Sequence, residues 1–334
     1  MVKKYINNSD IKLAVIGGDV RQLWLARALA ADGYEVAVCG VDGANLIGAD
    51  NIIGTCSGEE ILGGAVRCVT LSGALGLCDA VILPLPYTTD GRRVNCPLGG
   101  DIALADVFNL IPRGTLVLGG RIDDAVRALA ESAGSVIEDY YDREDVCIAN
   151  AIPTAEGAVA VAMAELPVTL HSAEVAILGF GRVARAVAHL LRGFDAKVTV
   201  AARRDDDLAW IRLYGYTPLR FQRINELCYG YDVVFNTVPA RVINDDFLTR
   251  FSAEPPPWKL IVDLASKPGG VDPDAAKASG VKLIRALSLP GRVAPATSGL
   301  ILRSGIISLL EKHGIAATVT VTANNGGNGG GDTR

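Results

Sequence analysis

Along the chain, short apolar runs alternate with amphipathic stretches, so the period of the hydrophobic positions switches between strand and helix. "IKLAVIGG" (11–18) is a continuous apolar run ending in glycines. "RQLWLARALAADG" (21–33) repeats its apolar positions at helical spacing, and "YEVAVCG" (34–40) returns to a strand. "CDAVILPLP" (78–86) and "GTLVLGG" (114–120) predict two more strands, each closed by turn residues. The runs are unbroken rather than alternating, which suits strands covered by helices on both faces of a parallel sheet.

Near residue 150 the style changes. "PTAEGAVAVAMAEL" (153–166) predicts an alanine-rich helix with Thr154 as its cap and Glu156 in its first turn. A second strand series follows in "AEVAILG" (173–179), "AKVTVAA" (196–202), "YDVVFNTVP" (231–239), "KLIVDLAS" (259–266) and "VKLIRAL" (281–287). The fold expected is α/β, with two Rossmann-like doubly wound parallel-sheet domains and a cleft between them. The first spans 1–150 and the second 151–297. A helix over 298–314, with an apolar stripe and a glycine stop, returns to complete the first. The Gly/Asn-rich segment 316–334 is expected to be disordered.

Composition narrows the function classes. The chain has 334 residues and a net charge of -5 without a basic stripe, which argues against a nucleic-acid partner. No uninterrupted apolar run reaches the roughly 18 residues of a membrane span, and "MVKKYINNSD" is no signal peptide. Seven cysteines without CxxC spacing suit reduced thiols in a cytoplasm, and no metal site is expected.

Two stretches read as strand, glycine turn and helix. The second, "AILGFGRVARAVAHLL" (176–191), sets Gly179, Gly181 and Ala184 in a G-x-G-x-x-A arrangement. Gly179, Phe180, Gly181, Arg182 and Val183 would then present backbone amides to a pyrophosphate at a helix N-terminus. In the first stretch, "AVIGGDVRQ" (14–22), Asp19 stands where that anion would bind. The second unit is therefore assigned the cofactor. Its next strand ends in Ala202, Arg203 and Arg204, where an NAD site would carry a carboxylate. Arginines suit a 2′-phosphate and point to NADP. The competing reading is that they are solvated and pair with Asp205, Asp206 and Asp207. Asn236, Thr237, Val238, Pro239, Asp263 and Leu264 end two more strands of this unit and are assigned to the cofactor side.

Two-domain enzymes that reduce 2-keto acids use a histidine acid in the loop before the last helix. The corresponding loop here, "LSLPGRVAPATSG" (287–299), has none, and the three histidines stand at 171, 189 and 313. "GGDVRQ" (17–22), "ANAIPTAEGA" (149–158), "GFGRVA" (179–184), "NTVPA" (236–240), "DLASKPGG" (263–270) and "LPGRVAPATSG" (289–299) together resemble the dipicolinate synthase A-subunit family. The likeness runs from about residue 10 to 314. It implies nicotinamide-dependent formation of pyridine-2,6-dicarboxylate from a dihydropyridine or hydroxy-tetrahydropyridine precursor during sporulation, in the mother-cell cytoplasm. With the arginines above, the reaction expected is NADP-dependent oxidation of a dihydrodipicolinate-type precursor. It also implies a partner, a flavoprotein-like B subunit, and an oligomer is expected. Such an oxidation yields an aromatic ring, so a missing histidine is no obstacle.

A small dicarboxylate substrate needs cations or donors at strand ends facing the cleft. Lys267, Ser266 and Asp19 are the catalytic candidates; Gly18, Arg21, Arg121 and Arg292 are the substrate-binding ones. Arg21 and Lys267 are expected to face one another across the cleft. The bland reading is that Asp19 and Arg21 cap and pair within one helix turn. Arg92 and Arg93 in "YTTDGRRVNCP" (87–97) belong either to a mobile flap or to an exposed loop. Two other functions stay open: a non-catalytic NADP-binding regulatory protein, and another NAD(P)-dependent amino-acid or keto-acid dehydrogenase.

Overall fold

Six short strands build each of two parallel sheets in a computed structural model that describes residues 7–41, 61–63 and 66–315. The segment 316–334 lies outside the described residues. In the first sheet the strands are β1 (Lys12–Ile16), β2 (Glu35–Cys39), β3 (Val66–Cys68), β4 (Ala80–Ile82), β5 (Leu116–Gly119) and β6 (Val136–Asp139). They lie in the order β3-β2-β1-β4-β5-β6. The second sheet holds β7 (Glu174–Leu178), β8 (Lys197–Ala202), β9 (Thr217–Arg220), β10 (Val233–Asn236), β11 (Leu260–Asp263) and β12 (Lys282–Arg285). Its order, β12-β11-β10-β7-β8-β9, repeats the same doubly wound topology. In both sheets the winding reverses beside the first strand, and a crevice opens there beyond the strand ends.

The apolar runs are buried on both faces. Leu13 and Val15 of β1 point into one core, and Ala14 and Ile16 into another on the opposite side. The helices that matter for the site are α1 (Val20–Ala31), α2 (Leu71–Leu75), α3 (Leu104–Leu110), α4 (Asp124–Ala133) and α5 (Glu144–Glu165). They continue with α6 (Arg182–Gly193), α7 (Asp205–Leu213), α8 (Asp245–Ala253), α9 (Pro273–Ala278), α10 (Leu289–Val293) and α11 (Pro295–Lys312).

The helix expected to start at Pro153 begins nine residues earlier, at Glu144, and Pro153 lies inside it. Thr154 is therefore no cap: its hydroxyl donates to the Asn150 carbonyl at 2.8 Å. Val146 of α5 belongs to the first core, while Ala155, Ala158, Val159 and Ala162 belong to the second. One helix thus joins the two sheets, and residue 150 sits in its middle. By length and composition α5 is apolar enough to cross a membrane, with mean hydropathy 1.5 over its best window. Its position between two cores explains that apolarity.

After α10 the chain turns back. Leu302, Ile306, Leu309 and Leu310 of α11 are buried in the first core with Leu25 and Leu29 of α1. Gly299 makes this crossing possible, because a Cβ there would stand 2.8 Å from the Arg21 carbonyl oxygen and 2.9 Å from the Leu25 nitrogen.

Candidate active site

The two glycine turns look alike in sequence and differ in what covers them. In the first, Gly17 and Gly18 adopt φ of +66° and +98°. A Cβ on Gly17 would lie 2.6 Å from Cys96 Sγ and 2.8 Å from Val94 Cγ1. The Gly18 amide donates to the Asn95 carbonyl at 2.8 Å. The segment 87–97 is thus folded down over this turn through Val94, Asn95 and Cys96. Arg92 and Arg93 sit in its exposed bend, where both backbone amides donate to Asp90 at 2.8 Å. That bend is an exposed loop closed by its own hydrogen bonds.

Asp19 caps α1, accepting from the Arg21 amide at 3.0 Å. The Arg21 guanidinium turns back onto the same carboxylate, Nε at 2.8 Å and Nη2 at 2.7 Å, and Nη2 also donates to the Leu85 carbonyl at 2.8 Å. Its side chain is only 8% exposed. Burial opposes the Arg21 charge, but Asp19 outweighs it and holds the pKa above its ordinary value. This is the local pairing of the bland reading: the Arg21 guanidinium is buried and engaged within its own unit, whereas Lys267 is exposed. Gly291 closes the pair from above: a Cβ there would stand 2.7 Å from Asp19 Oδ2. Arg292, half-buried on α10, follows directly.

The second turn is open. Gly179 has φ +96°, and Thr237 and Val238 pack against it, so that a Cβ would meet Thr237 Oγ1 at 2.6 Å. Around Gly181, by contrast, a Cβ would meet nothing within 4 Å. Gly181 caps α6 without any side-chain hydrogen bond, which leaves the first amides of that helix available to an anion. The Phe180 side chain is buried, with the Arg185 guanidinium 4.5 Å over its ring. Val183 is half-buried, and Arg182 reaches out to Glu144 of α5 at 3.7 Å.

Beyond β8, Ala202 is buried and the two arginines part company. Arg204 Nε donates to Asp206 Oδ1 at 2.8 Å and lies 3.8 Å from Asp207. Arg203 is exposed and forms no ion pair among the described residues. The solvated-pair reading thus describes Arg204, while Arg203 remains free to receive an anion.

Asn236 and Asp263 have no exposed surface, so neither reaches a ligand in this form. Asp263 accepts from Asn236 Nδ2 at 2.7 Å, the Ala265 amide at 3.2 Å and the Gly270 amide at 3.0 Å. The pair instead pins the loop 264–270, on which Ser266 and Lys267 are exposed and Leu264 is half-buried. Thr237 and Val238 are half-buried at the end of β10, with Pro239 exposed beyond them.

On the first sheet, Arg121 follows β5 as an exposed residue at φ +63°. Beside it stand three residues that the sequence did not single out: Asp139, Tyr141 and Asn150. The "VIED" strand ending in Asp139 lacks an apolar run, so nothing marked its end as a strand end. Asn150 lies in "ANAIPTAEGA" (149–158), and its placement depends on α5 starting at Glu144. No histidine stands at a strand end: His171 precedes β7, His189 is on α6, and His313 follows α11 and touches Glu138.

Two family models match separate parts of the chain. Residues 12–141 match the family described as the N-terminal domain of the dipicolinate synthase A-subunit. Residues 154–252 match the D-isomer specific 2-hydroxyacid dehydrogenase NAD-binding domain, which places a nicotinamide cofactor on the second unit. The dipicolinate synthase A-subunit of Bacillus subtilis (strain 168) is 31% identical over 91% of this chain and 97% of its own. The crystal structure of the dipicolinate synthase A-subunit from Bacillus halodurans is 30% identical, with TM-score 0.77, covering 91% of this chain and 98% of that one. A transhydrogenase from Sinorhizobium meliloti, 17% identical with TM-score 0.65 over 91% of this chain and 95% of that one, shares the fold. With 31% identity to the Bacillus subtilis protein along nearly its whole length, the chain belongs to the dipicolinate synthase A-subunit family.

Proposed function

We propose that the chain oxidises a dihydrodipicolinate-type precursor to pyridine-2,6-dicarboxylate, with NADP as its cofactor. The observation that carries this reading is the contrast between the two glycine turns. One is covered by its own chain and capped by Asp19, and the other is bare around Gly181. A dinucleotide pyrophosphate fits only the second. The relatives' name, the A-subunit of dipicolinate synthase, supports the substrate class and a partner B subunit. The setting is then the mother-cell cytoplasm of a sporulating bacterium, with the chain acting as an oligomer.

In this reading the unit of the first sheet, completed by α11, holds the substrate, and the unit of the second sheet holds the cofactor. The α6 amides at Gly181, Arg182 and Val183 receive the pyrophosphate. Arg203 receives the 2′-phosphate, and the half-buried Thr237 and Val238 fix the floor of the turn. When bound, the nicotinamide supplies a hydride acceptor. The substrate rests against the first sheet's strand ends, with Arg121 on one side and the pinned loop of Ser266 and Lys267 on the other. Arg292 flanks the same corner. Losing a hydride and a proton makes the ring aromatic, so no strong acid is required.

Titrating the protein with NADP and NAD, followed by calorimetry, tests the cofactor half. NADP should bind more tightly, and Gly181→Val should abolish both affinities without lowering the melting temperature. Retained binding in that variant would move the cofactor elsewhere.

A further inference from the structure

We propose that the Tyr141 phenol and the Arg121 guanidinium together form the seat for one carboxylate of the substrate. This deepens the dicarboxylate reading above and rests on it.

The geometry begins with Asp139, the last residue of β6, paired in register with Gly119 at the end of β5. Its carboxylate is buried. Oδ2 accepts from the Ile122 amide at 2.7 Å, and Oδ1 accepts from the Tyr141 amide at 2.7 Å. A single side chain therefore ties the turn that carries Arg121 to the turn that carries Tyr141. Two adjacent strand ends, on the crevice side of the sheet, are held in one fixed relation. Arg121 itself sits in the left-handed region, rare for a residue with a side chain and concentrated at functional sites. It is exposed and pairs with no carboxylate among the described residues.

Tyr141 is oriented from the other side. Asn150 Nδ2 donates to the phenol oxygen at 3.1 Å. That uses an acceptor position of the phenol and leaves its hydrogen for an outside oxygen. Asn150 is 6% exposed, and its own Oδ1 has no partner, so its side chain is committed to Tyr141. Burial is the main influence on the phenol and raises its pKa above 10.0, which keeps it a neutral donor at physiological pH. Arg121 and Arg182, one from each unit, both act on it electrostatically. Among the acids at this corner, Glu144 is engaged by Arg182, and Asp142 lies on the following turn. A neutral donor beside an unpaired cation suits a carboxylate oxygen pair, which accepts both without a charge penalty.

Calorimetric titration of the NADP-loaded protein with pyridine-2,6-dicarboxylate and with pyridine-2-carboxylate tests the seat. Tyr141→Phe keeps the ring and removes only the hydroxyl. It should weaken dicarboxylate binding about tenfold, and Arg121→Ala about tenfold to a hundredfold, from the usual strength of charge-assisted hydrogen bonds. The preference for two carboxylates over one should collapse in both variants, while NADP affinity stays at the wild-type value. Tyr141→Phe also leaves the buried Asn150 Nδ2 without its partner, so its melting temperature should fall, whereas that of Arg121→Ala should not. Wild-type dicarboxylate affinity in both variants would overturn the seat and leave the dicarboxylate reading standing. A wild-type protein that binds NADP but neither pyridine acid would overturn both.

Discussion

At the scale of single residues, pairing decides which candidates are available. Arg203 and Arg204 are indistinguishable in sequence, yet only Arg204 is neutralised by Asp206. Arg203→Ala should therefore weaken NADP binding roughly tenfold to a hundredfold, with NAD nearly untouched, and Arg204→Ala should do much less. Titration of both variants with both cofactors checks this, and equal losses for NAD and NADP would remove the 2′-phosphate assignment. Burial is what the sequence could not supply. Arg21, Asn236 and Asp263 all stand at or just beyond strand ends and look like ligand residues, but each is satisfied internally. Gly18→Ala is not the neutral control that its sequence position suggests. At φ +98° its Cβ would stand 2.0 Å from Gln22 Cγ, so it should cost more than the usual 1 kcal/mol or so of a glycine replacement.

At the scale of elements, continuous apolar runs are legible, and of the four sheet edges only β12 is. Strands β1, β2, β4, β5, β7, β8, β10, β11 and β12 all stand where apolar runs predict them. The three that were missed, β3, β6 and β9, are all sheet edges. An edge strand is covered on fewer sides, so sequences such as "VRC" and "TPLR" carry no apolar signature. The start of α5 was missed for a different reason: Pro153 reads as a first-turn residue, and only its tertiary setting keeps it inside a helix. Two experiments probe how α11 docks. Gly299→Val should lower the melting temperature, costing roughly 1–3 kcal/mol, because the Cβ has backbone atoms on two sides within 3 Å. Glu138 of β6 takes the other end, accepting from Lys312 at 2.8 Å and contacting His313. Burial raises the Glu138 pKa, but these hydrogen bonds outweigh it and leave the carboxyl below its ordinary 4.5. A group depressed in the folded state stabilises above its unfolded pKa, and that contribution is lost as pH falls through the folded value. Thermal melts below about pH 4.5 should therefore show an acid loss that Glu138→Gln lacks; identical pH profiles would discount the contact.

At the scale of the whole molecule, two copies of one topology differ in what covers their glycine turns. The first is sealed by the segment 87–97 and by α10, and its outer strand ends present Arg121 and Tyr141 instead. The second keeps its helix N-terminus bare. Helix α5 and the Arg182–Glu144 contact hold the two faces together, which is the placement that the proposed transfer between a substrate on one unit and a cofactor on the other requires. The central claim is that this chain, with its own cofactor, forms the pyridine ring. The most direct measurement gives the purified chain NADP and freshly generated dihydrodipicolinate, and follows NADPH and the ultraviolet band of pyridine-2,6-dicarboxylate together. The two should rise in equal amounts, and Gly181→Val should abolish both. A chain that binds NADP tightly yet produces neither would contradict a catalytic role and leave it a cofactor-binding regulator.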